Sequence, residues 1–215
     1  MRFATEAQTD VLSALVADSL AVGALGAWLV PEVSERSPLL RAYARLLLNA
    51  GMRSGQVHTA GQDAAVSVWY ERHLPRPTAG VTVEELHEAL GRHADRFALL
   101  HACLDATIPA GPHAHLAVLA ARPGCGQAAV ALLEHRHRLL DNVGQPAYTT
   151  IVTAEPRESV LGQLGYVPRA PAQLAPAGPV LWRMWRSPCS EPRGLYPRRA
   201  RLHQVTPPYW GGSGR

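Results

Sequence analysis

HAHLAVLAARPGCGQAAVALL, residues His113 to Leu133, is an apolar strand that runs through a Gly-containing turn into an Ala- and Leu-rich helix. A junction of this kind can hold an anion. The first helical turn leaves backbone N–H groups without intrahelical acceptors, and the helix dipole adds about half a positive charge there. A diphosphate held this way needs small residues, so that backbone donors can approach it, and Gly124, Gly126, Ala128 and Ala129 are small. On spacing alone, the other reading is an ordinary strand-to-helix turn.

Working outward, the helix is expected from Gln127 to Asn142 and a second strand from Ala147 to Thr153, which makes a parallel βαβ unit. A short helix after Pro156 ends at Gly165. Tyr166 to Val167 and Pro179 to Trp185 read as strands separated by a Pro/Ala-rich loop. Upstream, residues 2–8 suit a short edge strand. Asp10 is placed as the N-cap of a helix carrying Val11, Leu12, Leu15 and Val16 on one face. Ser37-Pro38 is placed to start a second helix, which carries Leu39, Leu40, Tyr43, Leu46 and Leu47 and stops near Gly51. Gln56 to Thr59 and Ala64 to Tyr70 read as a hairpin, with Val66, Val68 and Tyr70 facing away from Ser67 and Trp69. Pro75, Pro77 and Gly80 mark a loop. Thr82 to Ala106 is helical in two pieces broken near Gly91.

Composition narrows the class. The chain has 215 residues, enough for one sizeable domain. No run approaches the ~18 apolar residues of a membrane span, and MRFATEAQTD lacks the apolar stretch of a signal peptide, so a cytoplasmic location is expected. Cys103, Cys125 and Cys189 are odd in number and widely spaced, which speaks against a disulfide framework or a structural zinc site. All 21 basic residues are Arg. Residues 187–215 form a Pro/Arg-rich tail with five Arg and one Glu, and are expected to be extended or disordered. The remaining body is neutral, a poor composition for binding nucleic acid.

Three segments together resemble the GNAT superfamily of acetyl-CoA-dependent N-acyltransferases. They are AWLVP (27–31) with the following helix and the hairpin ending AVSVW (65–69); PHAHLAVLAARPG (112–124) running into ALLEHRHRLLDNVGQPAY (131–148); and LGYVPR with PVLWRMW. The resemblance covers residues 1–186. It implies an α/β domain with a mixed, mostly antiparallel sheet, a central βαβ unit, helices on both faces, and a helical insert between hairpin and central strand. It further implies acetyl-CoA as cofactor. Backbone groups of Leu119, Ala120 and Ala121 would hold pantetheine, and Gly124, Gly126, Gln127, Ala128 and Ala129 the pyrophosphate, with Arg157 at a cofactor-contacting position. The partner implied is a small-molecule amine that attacks the thioester directly, with Trp28, His58 and Trp69 on segments flanking its cleft. A homodimer is compatible with this reading.

The chain also departs from the family pattern. Gln127 falls where the turn usually has Gly, and the loop is about two residues short. Leu161 stands where relatives often present a Tyr that protonates the departing thiolate, and leucine cannot donate a proton. Thr150 stands where they often carry Glu. These losses leave a second reading open, a GNAT-fold protein whose cleft is reused for another reaction on a small biosynthetic intermediate, or as a binding module. A third makes the Arg-rich tail an interaction arm.

Among residues able to do chemistry, His113 and His115 are two apart on a strand, so both imidazoles share one face. They are the candidate general bases, and the bland alternative is a pair of ordinary hydrogen-bonded strand residues. No third ligand accompanies them, so no metal site is expected. His135 and His137 are two apart on a helix, about 200° around its axis, and are expected to be solvated. Cys125, at the helix N-terminus beside Arg122, is a weaker candidate nucleophile.

Overall fold

The computed structural model of the chain describes residues 1–72, 80–175 and 178–189. Eight strands form one sheet in the order β1-β2-β3-β4-β5-β8-β6, with β7 paired to β8 outside that path. They are β1 Arg2–Phe3, β2 Gln56–Ala60, β3 Ala65–Arg72, β4 His113–Ala121, β5 Ala147–Ile151, β6 Val167–Pro168, β7 Ala172–Gln173 and β8 Val180–Arg186. Only β4 and β5 run parallel, and α6 (Gly126–Asn142) crosses between them. This is the mixed sheet with a central βαβ unit expected from the sequence.

The helices divide between the two faces, and alternation along β3 shows why. Val66, Val68 and Tyr70 enter a core with α1 (Thr9–Ala21), α2 (Ala24–Leu29), α3 (Val33–Ser54), α4 (Val83–Leu90) and α5 (Ala94–Thr107). Ala65 and Trp69 enter the opposite core, with α6 and α7 (Val160–Gln163). A strand with two buried faces has no polar side, and six successive β3 residues are buried. The helical insert falls as expected: Thr82 accepts from the N–H of Glu85 while its own N–H donates to the Glu85 carboxylate, and Gly91 ends α4 at φ +52°.

Several boundaries move. The helix after Pro31 begins at Val33 rather than Ser37, and Pro38 lies inside it. Arg36 explains the early start, because its guanidinium donates to the carbonyls of Val30 and Pro31 and ties the first turn to the preceding segment. Asp10 is not an N-cap. It sits in the first turn of α1, paired with Arg45 of α3. Val11 points outward, 40% exposed, while Leu12, Leu15 and Val16 are buried. The first strand is only Arg2–Phe3, and β7 occupies the expected Pro/Ala-rich loop. The loop with Pro75 and Pro77, and the expected tail from residue 190 onward, lie outside the described residues.

His137 is a further correction. The helix α6 buries Ala129, Leu132, Leu133, Arg136, His137 and Leu140 against the sheet. His137 is therefore 1% exposed, not solvated, with Nε2 hydrogen-bonded to the Tyr166 hydroxyl at 3.1 Å. Next to it, Arg136 pairs with Glu71 and donates to Gln56 at 3.0 Å, which pins the helix to the hairpin.

Candidate functional site

The strands β4 and β5 pair only from Ala114↔Ala147 to Leu116↔Thr149, yet β4 continues to Ala121. Past Leu116 that edge of β4 is left open. The register with β3 shifts at the same place: Val68 faces Val118 while Trp69 faces Leu116, so Ala117 is an extra, bulged residue. Two hydrogen bonds show what the bulge does. Before it, the N–H of Ala114 donates to Pro146 on the β5 side; beyond it, the N–H of Arg122 donates to Ala64 on the β3 side. Alternation then directs the N–H and C=O of Leu119 and Ala121 into the gap, and those of Ala120 to Val66. Of the three residues singled out from sequence, two present their backbone to the gap.

The strand leads into the turn at Gly124, whose φ of +79° belongs to the left-handed region that glycine occupies without strain. An added Cβ there would meet nothing, so the turn is open to solvent. Cys125 occupies the N-cap of α6, half-buried, and its carbonyl accepts from Ala128. Gln127 is exposed, and Ala129 is buried under the helix. Open β4 edge, left-handed turn and the N-terminus of a 17-residue helix thus follow one another. A chain of amides ending in a diphosphate fits that series.

The gap opens onto a cavity of about 300 Å³ on the α1–α5 face of the sheet. Residues 115–120 of β4 form its floor, and Thr150 and Leu181 one side. Tyr43 of α3, Tyr70 and Arg72 of β3, and His101 and Asp105 of α5 bring polar atoms to it. The Tyr43 hydroxyl is 2.9 Å from Nε2 of His101. Burial pushes the Tyr43 hydroxyl well above its ordinary range and lowers His101, which is neutral at physiological pH.

His113 and His115 do share a face, their rings 6.5 Å apart. Only His115 borders the cavity. Nδ1 of His115 is 3.4 Å from a guanidinium nitrogen of Arg72, and burial, Arg72 and His113 lower its pKa to about 3. It does not titrate near neutrality. His113 is fully buried; its Nδ1–H donates to the Gly111 carbonyl at 2.7 Å, and its Nε2 has no partner. The expected pair of bases is therefore one sealed imidazole and one held neutral by burial and a neighbouring arginine.

The three residues expected to flank the acceptor do not line the cavity. Trp69 faces α6, with Arg136 over its ring at 5.7 Å. His58 lies against Phe3, and burial, Arg136 and His135 lower its pKa to about 4. Trp28 packs under Arg96 at the far end of α2. Strand parity accounts for Trp69, which alternates with Tyr70, so the residue on the cavity side is the tyrosine. Leu161 is buried in the α6 core, and Arg157 is exposed. Cys125 is also outside the cavity. Among the described residues, no cluster of three His, Cys, Asp or Glu could hold a metal, and no helix is long and apolar enough to cross a membrane.

Sequence reading missed Tyr43, Arg72, His101 and Asp105. Two signals were present: Arg72 continues the Val66, Val68, Tyr70 alternation, and His101 follows Phe97 by four residues on α5.

No family model matches the chain, and no curated protein matches it in sequence. Among solved structures it is similar to histone acetyltransferase HPA2 and related acetyltransferase from Corynebacterium glutamicum, at 20% identity and TM-score 0.64, over 89% of this chain and 97% of that one. Weaker likenesses are to an acetyltransferase (13% identity, TM-score 0.44, 87% of this chain and 98% of that one) and to Chaetomium thermophilum Naa20 in complex with a bisubstrate analogue (12%, TM-score 0.46, 86% and 85%). The first likeness shows that the chain shares the fold of that protein, which agrees with the fold the sequence resemblance implies.

Proposed function

We propose that the protein is an acetyl-CoA-dependent N-acetyltransferase acting on a small-molecule amine. The observation that carries this reading is the parting of β4 and β5 at Leu116↔Thr149, which leaves the backbone of Leu119 and Ala121 unpaired between a cavity and the α6 N-terminus. In this reading Leu119 and Ala121 bind the pantetheine amides, and the Gly124 turn with the first N–H groups of α6 binds the diphosphate. Bound acetyl-CoA supplies an acetyl group already activated as a thioester.

The chain's own contribution is then alignment and a place for one proton. A neutral amine in the cavity attacks directly. We assign the released proton to His101, which lines the cavity, is neutral, and is oriented by Tyr43, rather than to His113 or His115. A general base of this kind contributes about 10²–10⁴-fold. The departing thiolate is a tolerable leaving group without an acid, which accommodates leucine at position 161.

Calorimetric titration of the full chain with acetyl-CoA tests the reading. Micromolar binding is expected, and its absence sinks it. One observation favours a different use of the cleft: Leu161, 3% exposed in the core, offers no proton donor. A protein that binds cavity ligands but no acetyl-CoA would be the reused GNAT fold.

A further inference from the structure

The cavity has a charge asymmetry that acetyl transfer by itself does not use. Most of its wall is apolar, with Leu20, Leu25, Leu47, Leu100 and Leu104 among the lining residues. Among the described lining residues, only Arg72 and Asp105 are charged. Arg72 is the last residue of β3 and shares the Tyr70 face, with its guanidinium carbon 5.7 Å from that ring centroid. One Nη reaches Nδ1 of His115 at 3.4 Å. Its Nε and other Nη are buried with no hydrogen-bond partner. Asp105 is near enough to favour the arginine's charge but forms no ion pair with it.

A buried donor left unmatched is costly, and a buried guanidinium still more so. Loose Tyr70 stacking and one long hydrogen bond to a neutral imidazole leave most of that cost standing. An anionic oxygen placed in the cavity would remove it through charge-assisted bonds. One cation among the described lining residues, and a carboxylate at Asp105, suit a single negative charge and disfavour a dianionic phosphate. The volume is at the lower end of the roughly 300–1,000 Å³ typical of ligand pockets, so the rest of the molecule is small and, from the walls, apolar.

We propose that this cavity binds a small monocarboxylate with an apolar body, its carboxylate accepting hydrogen bonds from Nε and Nη of Arg72. Resting on the acetyltransferase reading, this makes the acceptor an apolar amino-carboxylate such as a branched-chain or aromatic amino acid.

The test is calorimetry on the full chain without acetyl-CoA, using leucine, 4-methylpentanoate and leucinamide as probes. Leucine and 4-methylpentanoate bind, and leucinamide, which lacks the negative charge, binds at least tenfold more weakly. Arg72→Gln removes that difference, with the circular dichroism spectrum as the check on folding. Equal binding of leucine and its amide, failure of both acids to bind, or an unchanged preference in a folded R72Q protein would each overturn the proposal. The acid-against-amide comparison on the native chain decides the matter even if R72Q misfolds. A separate acetyl-CoA titration keeps the two readings apart: carboxylate binding without acetyl-CoA binding upholds this site and removes the acetyltransferase, and the reverse removes this site alone.

Discussion

A guanidinium nitrogen of Arg72 lies 3.4 Å from Nδ1 of His115, across the β3–β4 pair. Arginine has no acceptor, so Nδ1 carries the lone pair and the imidazole proton sits on Nε2. With its pKa lowered to about 3 by burial, Arg72 and His113, His115 is neutral throughout the physiological range. Imidazole NMR shifts of this residue are expected to stay flat from pH 5 to 8 and to show the Nε2–H tautomer. An inflection near 6.5 contradicts the arrangement.

Among the described residues, three of the four buried histidines have strongly lowered pKa values and make the fold sensitive to acid. Burial is the main cause that lowers His58 to about 4 and both His115 and His137 to about 3. Unfolded, each binds a proton below its ordinary value of about 6.5, so between roughly pH 6 and 4 the unfolded chain holds more protons. Stability is full above this window and falls with pH through it, approaching about 4 kcal/mol per unit when all three contribute. Urea midpoints measured at pH 7, 6 and 5 should decline with increasing steepness, and His137→Gln should flatten the trend.

Pro substitutions on β4 separate its two edges. Ala121→Pro deletes an N–H that faces the gap, so the β3–β4 ladder survives and acetyl-CoA affinity falls at least tenfold. Ala120→Pro deletes a ladder hydrogen bond to Val66 in a central strand, which should lower the melting temperature far more than Ala121→Pro does. Thermal melts and acetyl-CoA titrations of both variants read the contrast. Equal effects on affinity at equal stability would argue against pantetheine in the gap.

Asp141 holds the far end of the sheet. Its carboxylate accepts two bonds from Arg186, at 2.8 and 2.7 Å, and one from the N–H of Cys189 at 2.9 Å. Arg186 is 3% exposed, so Asp141→Ala leaves a buried charge without a partner, a loss of about 3–5 kcal/mol. Chemical denaturation measures it. A cost below 1 kcal/mol would mean that solvent reaches the guanidinium.

Much of the fold was legible because local patterns and tertiary demands agree. The alternation Val66, Val68, Tyr70 against Trp69 gave the hairpin and its two faces, and Gly91 gave the break in the helical insert. Boundaries failed where a distant side chain intervened, as Arg36 does at the start of α3. The site was less legible. His113, His115 and Trp69 are chemically suggestive residue types, but suggestiveness carries no information on which face of a sheet, or which side of a cavity wall, a residue meets. Tyr43, Arg72, His101 and Asp105 converge from three elements that are far apart in sequence.

By itself the sequence determined the order of the main elements, though not the short α2 and β7, together with the βαβ junction at His113 to Leu133 and the small residues at its turn, since each depends on neighbours within a few positions. Only the tertiary structure decided that β4 and β5 part at Leu116, that the bulge at Ala117 turns Leu119 and Ala121 toward the gap, and that Arg72 sits beside His115 with two of its nitrogens buried and no ion pair among the described residues. Those features come from register between strands and from packing across the sheet. Such relations join residues tens of positions apart and leave no period in the chain to read.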